Sequence, residues 1–365
     1  MVDKLKYVKE TIKSGHTGGG GPFTEKCEKI LEKELGVPKV LLTTSGTTAL
    51  EMAAMLLNIK PGDEVIVPSF TFVSTANAFV KFGAKPIFAD IRSDTLNMDE
   101  GFLNKLITSK TKAIIPVHYA GVGCNMSYRF EVAQQHNIAV VEDNVQGLFG
   151  KYNSRFLGTF GDLSALSFHE TKTFTCGEGG ALIINNKKYI ERANIIRDKG
   201  TDHQKFLNGQ VDRYGWVDYG SSYTPADMLA AYLYPQLKDY KQIQADRKKK
   251  WLYYYNQLKG WAQENNVQIP YIPPECESSY QIFHLVLPSP KKCQELITHL
   301  KMNGVAATTH YPPLHLSKMG QKFGGKLGDC PVTESISECL VRLPLHNGLS
   351  LADQNYIVYL TKNCW

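Results

Sequence analysis

The sequence predicts an α/β protein, with a mainly parallel sheet in a large domain and a smaller C-terminal α+β domain. Two observations carry this prediction. Up to about residue 235, short continuous apolar runs alternate with helical stretches, which is typical of parallel strands covered by helices on both faces. From residue 236 onward the pattern changes to a long charged helix, a Pro-rich break and a few further strands. We therefore assign residues 1–235, including an N-terminal helix at 1–15, to the large domain and residues 236–365 to the small one.

Each element has its own signal in the chain. Apolar residues at helical spacing predict helices, whereas short apolar runs between turn signals predict strands. In the large domain the predicted helices are 24–35, 48–59, 74–83 and 126–136, and the predicted strands are 39–44, 63–68, 85–91, 112–120, 138–143, 163–168 and 180–185. In the small domain the predicted helices are 238–258 and 290–301, and the predicted strands are 280–287 and 302–312.

Composition narrows the class of protein. With 365 residues, 43% of them hydrophobic and 21% charged, the chain has the make-up of a soluble globular protein. The eight cysteines show neither a CxxC pair nor zinc-ligand spacing, so we expect reduced thiols, a cytoplasmic protein and no metal site. The start lacks an apolar signal core and no run reaches the ~18 apolar residues of a membrane span, so we expect no membrane association. The net charge of +6 comes without a nucleic-acid-binding motif, so we interpret it as a solvated surface, which also suits an anionic small molecule, and expect no nucleic-acid binding.

The stretch TTSGTTAL (43–50) links a predicted strand to a predicted helix. Gly46 would let the backbone approach a ligand. Thr47 adds a hydroxyl and an amide at the helix N-terminus, where the helix dipole favours a phosphate. An ordinary Ser/Thr cap of the helix explains the same residues equally well. No lysine follows at Walker spacing, so the stretch is not a P-loop.

The stretch VVEDNVQG (140–147) ends a predicted strand in two carboxylates, Glu142 and Asp143. A carboxylate at the end of a parallel strand can bind a metal, a ribose or a protonated ring nitrogen, and Gln146 would reach the same ligand. Alternatively, the aspartate caps the turn that follows.

The stretch SFHETKTFTCGEGGALII (167–184) places Ser167 and Lys172 at the end of another predicted strand. A lysine partly removed from water loses its proton more easily, and the free amine attacks carbonyl carbons to form a Schiff base. The alternative is an exposed turn lysine, with the glycines at 177, 179 and 180 forming a turn between strands.

Taken together, the three stretches hold the parts of a pyridoxal phosphate (PLP) site: a phosphate-binding turn, a carboxylate for the ring nitrogen and a lysine for the Schiff base. The chain resembles the DegT/StrS-type sugar-nucleotide aminotransferases of PLP fold type I, from about residue 14 to about residue 350. The resemblance is strongest to the branch that forms dTDP-4-amino-4,6-dideoxygalactose and viosamine. The motifs that carry it are TTSGTTALEMAAMLL, PGDEVIVPSFTFVSTANAFV, PVHYAGV, VVEDNVQG, SFHETK, GEGGALI and GSSY.

The resemblance implies a role for each matching residue. Lys172 forms the Schiff base with the cofactor and moves the proton during transamination, while Asp143 keeps the pyridine nitrogen protonated. Phe72 stacks on one face of the ring, and Gln146 lies on the other side. The remaining implied residues are Ser45, Gly46, Thr47 and Ser167 at the phosphate, Ser222 reaching the phosphate from a second subunit, and His315 as a candidate for substrate contact.

The implied reaction moves the amino group of L-glutamate to C4 of a keto sugar carried on a nucleoside diphosphate. The expected acceptor is dTDP- or UDP-4-keto-6-deoxyglucose, and a homodimer with shared active sites is implied as well. The alternatives are amination at C3, a non-catalytic regulatory or binding member, a PLP-dependent sugar dehydratase and, outside the family, a nucleotide-dependent oxidoreductase. Lys172 opposes the dehydratase, whose relatives carry histidine there, and the missing GxGxxG opposes the oxidoreductase.

The chain departs from the family pattern at three positions near these motifs. Asn144 stands where many relatives have alanine, whereas Thr173 and Ser222 stand where many have asparagine. None of the three changes removes a catalytic group.

Overall fold

The computed structural model describes residues 3–365, except for the side chain of Phe130, so the first two residues of the predicted helix at 1–15 lie outside the described residues. The helices are α1 Lys4–Ser14, α2 Pro22–Leu35, α3 Gly46–Leu56, α4 Ser74–Val80, α5 Leu103–Leu106, α6 Met126–His136, α7 Ile190–Arg197, α8 His203–Leu207, α9 Asp227–Lys238, α10 Tyr240–Glu264, α11 Pro290–Met302, α12 Lys318–Lys322, α13 Pro331–Cys339 and α14 Leu351–Lys362. The strands are β1 Lys39–Thr43, β2 Glu64–Pro68, β3 Lys85–Ala89, β4 Thr111–Ile114, β5 Ala139–Asp143, β6 Lys151–Tyr152, β7 Arg155–Phe156, β8 Leu163–Ser167, β9 Gly180–Ile184, β10 Cys276–Glu277, β11 Phe283–Val286 and β12 Leu340–Leu343. In the part of the chain that is described, no helix combines the length and the apolar character needed to cross a membrane.

A seven-stranded sheet in the order β1-β9-β8-β5-β4-β2-β3 forms the centre of the fold. The four successive pairs from β8 to β3 are parallel, and β9 runs antiparallel to both of its neighbours. The predicted mainly parallel sheet is therefore confirmed. Since β1, β5 and β8 all point the same way, their carboxyl ends meet at one edge of the sheet, where ligands of such sheets bind.

Helices cover both faces of this sheet, and β1 shows the arrangement. Leu41 belongs to a core shared with α3 and α4, whereas Val40 and Leu42 belong to a core shared with α2 and α9. Successive side chains of a strand point to opposite faces, so a strand covered on both sides needs apolar residues at every position. This double burial is the physical reason that the strands appear in the sequence as continuous apolar runs.

The predicted strand 112–120 is too long. Strand β4 ends at Ile114, and the chain then turns through a short 3₁₀ segment in which Ala120 has a φ of +54°. Pro116 has no N–H to donate to a ladder, and the left-handed residue then turns the chain away from the sheet.

The predicted strand 302–312 is wrong, because β11 pairs with a different partner. Strand β11 is antiparallel to β12, with Phe283 opposite Leu343 and Val286 opposite Leu340. The segment 302–312 contributes a single bridge, from Thr308 to Arg342. The prolines at 312 and 313 end this segment and cannot donate further ladder hydrogen bonds.

A second hydrophobic core forms from α10, β11, α11, β12 and α14. Its members include Trp251, Phe283, Leu296, Val341 and Ile357. Helix α9 packs instead against α1 and α2 beside the large sheet, through residues up to Leu237. The division of the chain into domains at residues 1–235 and 236–365 stays a prediction.

Gly180 begins β9 and lies against the turn that follows β1. A Cβ atom at this position would lie 2.3 Å from the carbonyl carbon of Ser45 and 2.5 Å from the amide nitrogen of Gly46. Both are backbone atoms and cannot rotate away. The missing side chain therefore allows the segment after Lys172 to return to the sheet in direct contact with the Ser45–Gly46 turn.

We expect Gly180→Ala to lower the free energy of unfolding by about 2–4 kcal/mol, because β9 or the turn must shift to admit the methyl group. Urea unfolding measures this change. Gly260→Ala is the matched control, because Gly260 lies within α10 and an added Cβ has no atom within 4 Å. Alanine is the better helix former, so this control should be as stable as the wild type or more so. Equal destabilisation of the two variants would contradict the contact.

Candidate active site

Three segments meet at the carboxyl-end edge of the sheet. Strand β1 leads into the turn at Ser45, β5 ends at Asp143, and β8 ends at Ser167. A cleft at this edge is lined by Val145, Gln146, Leu148, Ser167, Lys172, Thr173, Phe174, Ser279 and Gln281. Three of the residues singled out in the sequence thus share one cleft, and the last two lining residues come from the C-terminal part of the chain.

The turn after β1 places hydroxyl and amide groups at the start of α3. Ser45 is the N-cap: its Oγ accepts a hydrogen bond from the Thr48 amide at 3.1 Å, and Thr48 Oγ1 accepts one from the Ser45 amide at 3.0 Å. Thr47 Oγ1 lies 2.8 Å from Ser74 Oγ, at the start of α4. The plain helix cap considered above is therefore present. Thr47 and Ser74 also place two hydroxyls where two helices begin, and the dipoles of both favour an anion there.

Gly46 brings this turn next to β8. A Cβ at Gly46 would lie 3.2 Å from Ser167 Cβ, from the Leu166 carbonyl oxygen and from Val145 Cγ1. The predicted phosphate-binding residues Gly46, Thr47 and Ser167 therefore occupy one region at the edge of the sheet.

Asp143 is a buried carboxylate at the end of β5. Thr75 Oγ1 donates to its Oδ2 at 2.6 Å, and the Val145 amide donates to its Oδ1 at 3.4 Å. Burial raises the pKa of Asp143, and the hydrogen bond from Thr75 and the charge of Lys172 act in the opposite direction. A carboxylate in this setting gains most from a cation placed beside it, such as a protonated ring nitrogen.

Lys172 lies half-buried in the turn that follows β8. Burial lowers its pKa from the ordinary value of 10.5 to about 8, although the charge of Asp143 acts to raise it, and Arg342 lowers it further. At pH 7.5 a pKa of 8 leaves about a quarter of the amines unprotonated, against about one in a thousand at the ordinary value. Lys172 is therefore suited to attack a carbonyl group.

Glu142 precedes Asp143 and has a different function. Its Oε1 accepts hydrogen bonds from the Phe160 and Gly161 amides, and its Oε2 accepts one from the Gly158 amide, all at 2.7 Å. His118 Nε2 lies 2.9 Å from Oε2, while His118 Nδ1 accepts from the Cys124 amide at 3.2 Å. The imidazole therefore carries its proton on Nε2 and donates it to Glu142. This carboxylate holds the backbone together and has no capacity left for a ligand.

Gln146 and Phe72 are connected through Tyr311. Gln146 Oε1 accepts from the Ala120 amide at 2.7 Å, and its Nε2 donates to the Tyr311 hydroxyl at 3.1 Å. The ring of Phe72 is exposed and lies 6.3 Å from the ring of Tyr311, centroid to centroid. Because its ring faces solvent, Phe72 is available for stacking against a flat ligand.

The C-terminal part of the chain adds imidazole, phenol and guanidinium groups beside the cleft. His310 stacks on Tyr311 with ring centroids 3.9 Å apart, and its Nδ1 lies 3.1 Å from the Tyr119 hydroxyl. His284 and Arg342 are opposite each other in the β11–β12 pair. Burial lowers the pKa of His310 to about 2 and that of His284 to about 3, so both imidazoles are neutral.

Ser222 and His315, also singled out in the sequence, have different surroundings. Ser222 is exposed and bridges to Asp198, so its proposed contact with a second subunit stays a prediction. His315 is fully buried, with Nδ1 2.6 Å from Ser69 Oγ and Nε2 2.9 Å from Glu334. Both of its ring nitrogens are engaged within the chain, so this arrangement leaves His315 no nitrogen for a substrate.

Sequence reasoning missed several residues of this site. Ser74 and Thr75 could have been predicted, because they follow the carboxyl end of β2 within the motif TFVST. The others lie far along the chain from Lys172, and no local pattern marks them: Ser279, Gln281, Tyr311 and Arg342.

The residues present fit PLP. Hydroxyls at the starts of two helices suit its phosphate, the buried carboxylate of Asp143 suits a protonated pyridine, and the amine of Lys172 suits its aldehyde. The exposed ring of Phe72 suits the flat face of the pyridine.

Comparison with known proteins agrees with this fit. SpsC, a spore coat polysaccharide biosynthesis protein of Bacillus subtilis, is 30% identical over 98% of this chain and 92% of its own length. A GDP-perosamine synthase of Caulobacter vibrioides is 29% identical over 96% of this chain and 92% of its own length. The PLP-form structure of Spr1654 from Streptococcus pneumoniae matches with a TM-score of 0.90 at 27% identity, covering 99% of this chain and 95% of that one. The family described as DegT/DnrJ/EryC1/StrS aminotransferases matches residues 2–361. This protein therefore belongs to the DegT/DnrJ/EryC1/StrS family of PLP-dependent aminotransferases.

Proposed function

We propose that the protein transfers the amino group of L-glutamate to C4 of a 4-keto-6-deoxyhexose linked to dTDP or UDP. The observation that carries the proposal is the position of Lys172 in a cleft at the edge of the sheet, where burial lowers its pKa and the charge of the buried Asp143 acts on it. L-Glutamate leaves as 2-oxoglutarate, and the keto group of the sugar becomes an amine.

Bound PLP supplies an electron sink for the carbanion that forms at the reacting carbon. Lys172, as the free amine, takes up and returns the proton that moves between the two carbons of the transamination. Asp143 would hold a proton on the ring nitrogen through its negative charge, and Thr75 keeps that carboxylate in place with a hydrogen bond of 2.6 Å. Phe72 would stack on the ring, and Thr47 and Ser167 would hold the phosphate.

The nucleotide-sugar acceptor is supported by family membership and by charge. A relative is named for spore coat polysaccharide biosynthesis and another as a GDP-perosamine synthase. The net charge of +6 suits a diphosphate. Amination at C4 rests on the motifs HETK and GEGG, which resemble the C4-acting branch.

We also propose a cytoplasmic homodimer with shared active sites, in which Ser222 contacts the phosphate of the partner's site. The segment before Ser222 is unusually apolar for a surface: Trp216 and Tyr219 are 79% and 77% exposed, and Tyr214 and Val217 are exposed as well. Exposed apolar patches of this kind mark interfaces between proteins. The eight cysteines are unpaired, which suits a reducing compartment.

The product identifies the reaction. With PLP and L-glutamate, the protein should convert 4-keto-6-deoxyglucose on dTDP or UDP into an amine at C4, which NMR of the product detects and assigns as axial or equatorial. A GDP-linked 4-keto sugar is the third acceptor to compare, because a GDP-perosamine synthase is among the relatives. Conversion of glutamate without an amine at C4 would contradict the position and favour C3. No consumption of glutamate would favour a non-catalytic member.

The two neighbouring carboxylates should respond oppositely to removal of their charge. Asp143→Asn should lower the rate of amino transfer by about 100-fold or more and leave the unfolding temperature nearly unchanged, because the amide oxygen still accepts from Thr75. Glu142→Gln should lower the unfolding temperature by several degrees, because three backbone amides and His118 converge on that carboxylate. Amino transfer at saturating PLP and thermal unfolding are the two measurements. Equal losses of rate in both variants would contradict the separate functions.

Lys172 should be acetylated by acetic anhydride in the cofactor-free protein with half-maximal reactivity near pH 8, since only the unprotonated amine reacts. Labelling therefore rises with pH, and mass spectrometry of the peptide that contains Lys172 follows it, with exposed lysines as the internal control. Asp143→Asn should shift the midpoint downward, because the Asp143 charge raises the pKa of Lys172. A midpoint near pH 10.5 would show that Lys172 is an ordinary surface lysine.

A further inference from the structure

A single side chain joins both neighbours of Lys172. Gln281 Oε1 accepts hydrogen bonds from the Thr173 amide at 3.1 Å and from Thr173 Oγ1 at 2.8 Å. Its Nε2 donates to the Thr171 carbonyl oxygen at 3.0 Å. The amide orientation follows from these partners, because a backbone N–H can only donate and a carbonyl can only accept. Gln281 therefore tethers the chain immediately before and immediately after the lysine.

Gln281 is itself held firmly. Gln281 is 8% exposed. The guanidinium of Arg247 donates hydrogen bonds to the backbone carbonyl oxygen of Gln281 at 2.7 Å and to that of Tyr280 at 3.0 Å. Arg247 is 2% exposed and lies in α10. Asn347 Nδ2 donates to the Thr173 carbonyl oxygen at 2.9 Å, which adds a further tether on the far side of the lysine. The turn that carries Lys172 is thus hydrogen-bonded to two segments from the C-terminal part of the chain, and Arg247 of α10 holds one of them in place.

We propose that Gln281 is a positioning residue for Lys172, which fixes the turn so that the amine stays in the cleft and faces Asp143. This inference rests on the proposed function of Lys172 as the nucleophile and proton carrier. With both neighbours tethered, the backbone at Lys172 is held from either side. Reaction rates depend steeply on such placement, since a misplacement of about 1 Å can cost about 100-fold.

Gln236, in α9, contacts the same turn and provides a matched control. Gln236 is 1% exposed; its Oε1 accepts from the Thr175 amide at 3.2 Å, and its Nε2 donates to the Thr175 and Tyr232 carbonyl oxygens. Gln236 therefore has the same side chain, a similar burial and a comparable set of hydrogen bonds. Its contact with the turn is at Thr175, however, three residues beyond Lys172, and does not bracket the lysine.

The experiment compares Gln281→Met with Gln236→Met, because methionine keeps the length of the side chain and removes its hydrogen bonds. In Gln281→Met we expect the kcat of amino transfer from L-glutamate to fall about 10- to 100-fold, with KM for glutamate changed less than about threefold. In the cofactor-free protein, the acetylation midpoint of Lys172 should rise above pH 8, because a loosened turn admits water to the amine. Gln236→Met should leave kcat within about twofold of the wild type and the acetylation midpoint within about 0.3 pH units. It should lower the unfolding temperature about as much as Gln281→Met does.

A third, milder variant tests the same contact in case Gln281→Met does not fold. Thr173→Val keeps the shape of the side chain and removes only the hydroxyl that donates to Gln281. It should lower kcat by less than Gln281→Met does and shift the Lys172 midpoint in the same direction. The inference is overturned if Gln281→Met and Gln236→Met give the same kcat and the same midpoint, since Gln281 would then act only on stability. If the wild type shows no amino transfer, the proposed function fails, and the acetylation midpoints still decide whether Gln281 positions the lysine.

Discussion

The mutual attraction of Asp143 and Lys172 is the interaction on which the site depends. Burial acts against both charges, since it raises the pKa of the carboxyl group and lowers that of the amine. Each charge partly reverses the effect of burial on the other. The form of Lys172 that reacts with a carbonyl is the unprotonated amine, and in that form it leaves the buried carboxylate without a cation. A protonated pyridine nitrogen would be such a cation, so the electrostatics of the cleft favour a ligand with a protonated ring nitrogen.

Two adjacent carboxylates on β5 have different functions: Glu142 stabilises the fold, whereas Asp143 belongs to the site. Successive side chains of a strand point to opposite faces, so Glu142 and Asp143 enter different surroundings. Three backbone amides and His118 saturate Glu142, whereas Asp143 receives one short hydrogen bond from Thr75 and a long one from the Val145 amide. The saturated carboxylate fixes the loop at residues 158–161 against the strand. The undersatisfied one remains reactive towards a cation.

The C-terminal part of the chain completes the site. Gln281 holds the neighbours of Lys172, and Tyr311 hydrogen-bonds Gln146 and lies near Phe72. Arg247 is buried and is bonded to backbone carbonyls of the segment that carries Gln281. The lysine, which follows a strand of the large sheet, is therefore placed by contacts with the segment that precedes β11, and Arg247 of α10 holds that segment. A movement of these elements relative to the sheet would change the position of the Lys172 amine.

The sequence by itself determined the alternation of strands and helices, the parallel character of the sheet and the clustering of Lys172, Asp143 and the Ser45–Thr47 turn. These follow from local spacing and from the rule that carboxyl ends of parallel strands share one edge. Only the tertiary structure decided that Glu142 is structural, that His315 is enclosed by Ser69 and Glu334, that β12 and not the segment 302–312 pairs with β11, and that Gln281 brackets the lysine. Each of these outcomes depends on a partner distant in sequence or on which face of a strand is covered. Gln281 and Thr173 are 108 residues apart, and periodicity within a few residues carries no information about a contact over that separation.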